Sequence, residues 1–201
     1  MKKSNSGRTS SILLGIANHK ELKGEITFQR ILQALGERVF GIALIFFALP
    51  IALPFSFIPG VSFVFSVPIL LFACQMIFAR KTLWLPPIIA KRTIHHKSIS
   101  KIVHSFVPYL IRVEYFLKPR WTFMTNRPME IITGSVIFCL AMFLMLPIPF
   151  SNFIFAIVII IFGLGLIEKD GFLIVLGHLV TVIYMSFIYL IIMAAIKRLM
   201  T

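Results

Sequence analysis

Three stretches of this chain contain no Asp, Glu, Lys or Arg: Val39–Ala79, Ile131–Ile167 and Gly171–Ile196. A helix that crosses a bilayer needs about 20 apolar residues, each rising about 1.5 Å. The first two stretches are long enough for two crossings apiece and the third for one. The whole chain is 59% hydrophobic and 13% charged, whereas an average soluble domain is about a quarter charged. Lipid is therefore the expected solvent, and disorder is excluded because it requires low hydrophobicity.

Turn chemistry interrupts both long stretches near the middle, at Leu53-Pro54-Phe55-Ser56-Phe57-Ile58-Pro59-Gly60 and at Leu146-Pro147-Ile148-Pro149-Phe150-Ser151-Asn152. Proline removes a helical donor, and Gly or Asn accepts positive φ, so each is a predicted helix break. The expected fold class is all-α: a polytopic membrane protein of two duplicated, Pro-interrupted helical hairpins plus one long C-terminal transmembrane helix. The legs Val39–Leu53 and Phe153–Ile167 are short, about 22 Å as helices against about 30 Å of hydrocarbon. Either the bilayer thins around them or the hairpins turn back inside it. Both versions return the chain to the side it left.

Of the 20 Lys and Arg residues, seven precede the first hairpin and ten lie between Arg80 and Glu130, while the hairpin turns carry none. Basic loops stay in the cytoplasm, which places the N-terminus there. The C-terminus, with Lys197 and Arg198, falls on the opposite side. The net charge of +13 raises the question of nucleic acid. Because the basic residues only punctuate apolar blocks and no recognition motif is present, no nucleic-acid partner is expected. The division reads as a basic cytoplasmic tail (1–26), an amphipathic helix plus hairpin 1 (27–79), a basic linker with an interfacial helix (80–130), hairpin 2 (131–170) and a C-terminal helix (171–201). Phe28, Ile31, Leu32 and Leu35 have helical spacing after a Thr27 cap, and Ile99, Ile102, Val103, Phe106, Leu110, Val113 and Leu117 form a second stripe. That basic linker is expected to partner anionic headgroups of membrane lipid, or to pack on the membrane helices.

The hairpins repeat. A shift of 93 residues lays Glu37 on Glu130, Gly41 on Gly134 and Pro54 on Pro147, and a shift of 90 lays Ile69, Phe72 and Ile77 on Ile159, Phe162 and Ile167. An even number of crossings separates the copies, so they run parallel. Paired, Pro-interrupted segments in two halves are the sequence pattern of a transporter-type site; a duplicated scaffold without a site gives the same pattern.

At these residues the chain resembles the ExoD-type exopolysaccharide synthesis proteins of bacterial inner membranes, from about Phe28 to the end. The resemblance rests on Leu35-Gly36-Glu37-Arg38-Val39-Phe40-Gly41, Ile58-Pro59-Gly60, Pro68 through Gln75, Trp84-Leu85-Pro86, Pro119-Arg120, Leu146 through Asn152, and Leu164 through Gly171. It departs at Val39, where a small residue is usual, and in a first turn poorer in proline. The resemblance implies a role in exopolysaccharide production, with lipid-linked saccharide or the exopolysaccharide machinery as partners. It supplies no catalytic residues.

The candidate contact residues are few, and each has a plainer structural reading. Glu37 and Arg38 form either a gripping pair for a headgroup or a boundary pair, with Glu at a helix start and Arg snorkelling. Gln75, inside an apolar leg, is expected to hydrogen-bond across helices. Asn152 either contacts cargo or serves the turn. Glu168 and Asp170 hold a cation or polar cargo, or else simply form a solvated turn in which Gly171 supplies unusual φ. His178 is a titratable group within an apolar block, or a histidine bonded to a backbone carbonyl. Cys74 and Cys139 pair with nothing in sequence, and His95, His96 and His104 stand among lysines, so no metal site and no cofactor are expected.

No Gly-x-Ser-x-Gly, His-Glu-x-x-His, P-loop or dinucleotide fingerprint is present. The expectation is a non-enzymatic accessory protein of exopolysaccharide synthesis or export. The rival is a small membrane transporter or ion-handling protein with a site between the two repeats, and a membrane-bound transferase stands third.

Overall fold

The computed structural model describes residues 25–27, 32–33, 35–53, 60–80, 82–84, 93–95, 108, 111–112, 117, 119–146 and 151–200. Residues 54–59 and 147–150 of the two proline turns lie outside them, as do most of the two predicted interfacial helices. The helices are α1 (Arg38–Ala48), α2 (Val61–Ile77), α3 (Arg127–Leu144), α4 (Ser151–Glu168) and α5 (Gly171–Met200). Three segments, Arg127–Leu144, Ser151–Glu168 and Gly171–Arg198, are long and apolar enough to cross a membrane. The chain is an all-α polytopic membrane protein with one addition the sequence reading lacks, a two-stranded antiparallel ribbon. Its strands are β1 (Glu25–Thr27) and β2 (Thr93–His95), with Ile26 opposite Ile94 and Thr27 opposite Thr93. Thr27 thus sits in a strand, not at a helix cap, and the β-branched residues of both strands suit that pairing.

The first leg is shorter than the predicted Val39–Leu53. Pro50 has no N–H to continue the ladder. After Leu49 N donates to Ile45 O at 2.9 Å, the chain turns on Ala48 O, which accepts from Ile51 N (3.1 Å) and Ala52 N (3.0 Å). The 11 residues of α1 rise only about 16 Å, whereas α3 and α4, 18 residues each, rise about 27 Å, close to a full hydrocarbon thickness.

The four hairpin legs close a ring. Each hairpin's legs touch one another, and the first leg of each packs on the second leg of the other: α1 on α4, and α3 on α2; α5 lies outside against α4. The sequence repeat is thus a pseudo-two-fold axis down the ring. Residues related by the repeat share one burial: Leu44 and Ile137, Ala48 and Ala141, Ile51 and Leu144, and Ile69 and Ile159 are all completely enclosed.

The two long contacts cross at small residues, as helices must where lipid gives no hydrophobic reason to associate and close packing decides. A Cβ on Gly41 would strike the Gly163 carbonyl and stand 2.8 Å from Ile167 Cγ1. A Cβ on Gly134 would stand 2.9 Å from Met76 Cβ and 3.3 Å from Ile77 N. Shifting Gly41 by 93 gives Gly134, and shifting Ile77 by 90 gives Ile167, so the two crossings are one contact made twice.

Both hairpins return to the end they leave. The ribbon ties the segment before hairpin 1 to the linker after it. Gly171 N, after hairpin 2, donates to Arg120 O, before it, at 2.7 Å. The exposed Trp84 and Trp121 belong to this same end, as expected of an aromatic belt at a membrane surface.

Candidate functional site

The two second legs finish in the same cap. Ala79 and Lys169, related by the shift of 90, are non-glycine residues with left-handed φ of 51° and 54°. Beyond them Arg80 N donates to Gln75 O (3.2 Å) and Asp170 N donates to Gly165 O (2.9 Å). These are the long bonds of a Schellman motif, which take up orphan carbonyls at a helix end. Each cap stands beside the start of the other hairpin's first leg. Lys169 Nζ donates to Glu37 Oε2 at 3.1 Å, and an Arg127 guanidinium N–H donates to Ala79 O at 2.7 Å. Half-buried Glu130, the repeat mate of Glu37, lies within electrostatic reach of Glu37, Lys169 and Arg127. The axis therefore emerges at this end between two carboxylates and their cations. An open recess of about 310 Å³ beside them is lined by Leu35, Gly36, Glu37, Arg38 and Lys169. Two cations and one anion around this recess suit an anionic or zwitterionic headgroup.

Glu37 and Arg38 thus share one recess, with Lys169 as a third member that sequence reasoning missed. Lys169 stands at the register position of a helix cap, which the repeat alone does not flag because its mate is an alanine. Gln75 is not deep in its helix. It lies in the last turn of α2, and its amide spans the backbone of Trp84: Oε1 accepts from Trp84 N at 2.7 Å and Nε2 donates to Trp84 O at 3.2 Å. The expected cross-helix bond is replaced by an anchor for the chain leaving the hairpin.

Glu168 and Asp170 are buried, at 5% and 3% exposure, in what was expected to be a solvated turn. Asp170 Oδ1 accepts from Phe172 N at 3.1 Å, which secures the first turn of α5. Gly171 does not supply unusual φ, since Lys169 takes that role. Glycine is needed at 171 because a Cβ there would strike the Trp121 carbonyl and lie 3.0 Å from Arg120 O.

The remaining candidates lie elsewhere. Asn152 stands in the first turn of α4, at the opposite end of the ring, with its Oδ1 buried and without a hydrogen-bond partner. Its neighbour Ser151 accepts from the Tyr184 hydroxyl at 2.9 Å. His178 Nδ1 lies 2.8 Å from Ile174 O, and because a carbonyl only accepts, that nitrogen carries the proton. The ring meets Phe162 edge-on, with centroids 5.0 Å apart. The structure thus brings Glu37, Arg38, Glu168 and Asp170 to one end and leaves Asn152 and His178 apart. Among the described residues no three His, Cys, Asp or Glu side chains are grouped to hold a metal ion.

The family described as "Exopolysaccharide synthesis, ExoD" matches residues 9–190. An uncharacterized protein of Synechocystis sp., slr1875, is 35% identical over 176 residues, covering 85% of this chain and 82% of that protein. Protein ExoD of Rhizobium meliloti is 30% identical over 157 residues, covering 76% of this chain and 65% of that protein. No solved structure matches the chain. A duplicated membrane hairpin whose family match runs through nearly its whole length leaves one assignment: the chain belongs to the ExoD family of exopolysaccharide synthesis proteins.

Proposed function

We propose that this protein is a non-enzymatic accessory component of exopolysaccharide synthesis or export in the bacterial inner membrane, with its N-terminus and basic linker in the cytoplasm. Family membership carries the exopolysaccharide part of this reading. The accessory part is supported by how the polar side chains are used. Gln75 spends both ends of its amide on Trp84, Asp170 caps a helix, and Glu37 is tied to Lys169. These are bonds that hold a fold, not groups poised for proton or group transfer. The orientation follows from the concentration of Lys and Arg before and between the hairpins. At about 1 kcal/mol per basic residue near an anionic surface, the linker tethers the protein to lipid. The headgroup recess beside Glu37, Arg38 and Lys169 is then the contact for lipid-linked saccharide or for the machinery that carries it.

Deleting the gene should lower or otherwise alter exopolysaccharide yield, restored by expression in trans; unchanged yield in a strain shown to have expressed the protein contradicts the reading. The alternative, a small transporter or ion-handling protein, draws on the polar groups at the two ends of the ring. It requires flux by the purified protein in liposomes.

A further inference from the structure

The repeat breaks at the recess beside Glu37, Arg38 and Lys169. Glu37 keeps its mate, Glu130, but the shift of 93 carries Gly36 onto Met129 and Arg38 onto Ile131, and the shift of 90 carries Ala79 onto Lys169. Met129 lies within α3. Gly36 instead turns the chain at φ 58° just before α1, and a Cβ there would meet only open space. A kink therefore stands at one crossing where helix runs on at the other, and two of the departures bring cations to it. Taking the recess as a headgroup contact, we propose that Glu37 is a built-in competitor there: its ion pair with Lys169 occupies the cation that a phosphate-bearing headgroup takes over when it binds.

The mate crossing acts as an internal control. Its cap forms on Ala79, at φ 51°, just as the other forms on Lys169, at φ 54°. Gly134 seats α3 against α2 with Ile131 at the position of Arg38, as Gly41 seats α1 against α4. Neither the cap nor the close approach of the helices therefore requires a Glu–Lys pair. A pair present at one of two equivalent crossings, and lining a recess only there, is free to serve a ligand.

The pair is built to exchange. Lys169 Nζ stands 3.1 Å from Glu37 Oε2, and the two side chains keep 44% and 39% of their surface exposed. Such half-exposed pairs hold weakly, whereas phosphate oxygens accept charge-assisted hydrogen bonds from ammonium and guanidinium groups. A phosphate drawing on Lys169 and Arg38 thus replaces a weak bond with stronger ones. A sugar hydroxyl brings no charge and cannot stand in for the carboxylate, so the phosphate of a headgroup, not a saccharide, is the group recognised. Once displaced, Glu37 faces Glu130, which lies within electrostatic reach of both Glu37 and Lys169. That repulsion drives the pair to re-form when the ligand leaves. The recess opens at the end that carries the exposed Trp84 and Trp121, where headgroups lie.

The test titrates the full chain in detergent with phosphatidylglycerol, with chain-matched diacylglycerol and with soluble glycerol phosphate, and reads binding by native mass spectrometry and calorimetry. The unaltered chain should prefer phosphatidylglycerol to diacylglycerol. Glu37→Gln should bind it about two- to fivefold more tightly, the fold-change that an exposed pair is worth, and Lys169→Gln should bind it about fivefold more weakly or worse. Lys169→Arg should stay close to the unaltered chain, as should Arg120→Gln, which removes a charge outside the recess. On the Lys169→Gln background, Glu37→Gln should gain nothing, because no cation is left to release. Glycerol phosphate binding with the same pattern assigns the phosphate alone, and its failure to bind assigns a lipid; both support the competitor. The competitor is overturned, and the headgroup recess left standing, if Glu37→Gln binds no more tightly, or gains equally with and without Lys169. Equal binding of phosphatidylglycerol and diacylglycerol by the unaltered chain overturns the recess itself. Should Lys169→Gln not fold, as its thermal midpoint would reveal, the sign of the Glu37→Gln change alone decides.

Discussion

Gly41 and Gly134 govern how closely the two hairpins approach. A methyl group at either position has no room: at Gly41 it meets a helix backbone, and at Gly134 a Cβ and a backbone nitrogen. Gly41→Ala and Gly134→Ala should each destabilise the detergent-solubilised protein by about 1–3 kcal/mol, the cost of overpacking a well-filled interface. The lipid-facing Phe46→Leu should change almost nothing. Thermal midpoints of the three variants check this, and an undisturbed midpoint for both glycine variants would remove the crossing from the account. At this scale much was legible in the sequence. The Glu-x-x-x-Gly starts of the hairpins were visible as a repeat because Glu at a boundary and Gly at a crossing each answer to a single physical demand. Gln75 was misplaced for an equally physical reason. The uncharged block runs to Ala79, but α2 ends at Ile77, so depth judged from charge alone puts the side chain too far from the helix end.

The elements show what a cap and a proline do when the sequence does not advertise them. Both second legs end in left-handed residues that are not glycine, a conformation costing an L-residue about 1–2 kcal/mol. Ala79→Gly should relieve that strain and raise stability by about 0.5–1 kcal/mol after glycine's extra chain entropy is counted. Lys169→Gly gains the same relief but loses the half-exposed ion pair with Glu37, worth about 0–1 kcal/mol. Its net effect should lie near zero, and the difference between the two variants measures the pair. A destabilised Ala79→Gly would contradict the reading of the cap. Helix length also diverged from expectation at this scale. Pro50 ends α1 before the Leu53-Pro54 break that the sequence emphasises, because a missing donor acts wherever it falls. The ribbon joining Glu25–Thr27 to Thr93–His95 was hidden by its sequence separation, since three-residue strands have too little alternation to stand out.

For the whole molecule, two parallel repeats pack as a ring with the charged cluster at one end, and we propose that this ring crosses the membrane with that end in the cytoplasm. Charge counting made it legible that both hairpins return to one end, the end that carries the basic segments. It did not reveal that each first leg pairs with the other hairpin's second leg, because apolar surfaces in lipid carry no partner code beyond the positions of small residues. The candidate site divided along the same line: Glu37 and Arg38 declared themselves by charge, whereas Lys169 became visible only when the repeat was seen to pack on itself. The most direct test is cysteine labelling in sealed spheroplasts with a membrane-impermeant maleimide, on a chain with Cys74 and Cys139 replaced. Leu53→Cys and Leu146→Cys, at the exposed turn ends, should both label from outside. Arg80→Cys and Arg120→Cys should label only after lysis. Opposite behaviour of the two turn positions, or labelling of the turns only together with the charged end, would contradict the account.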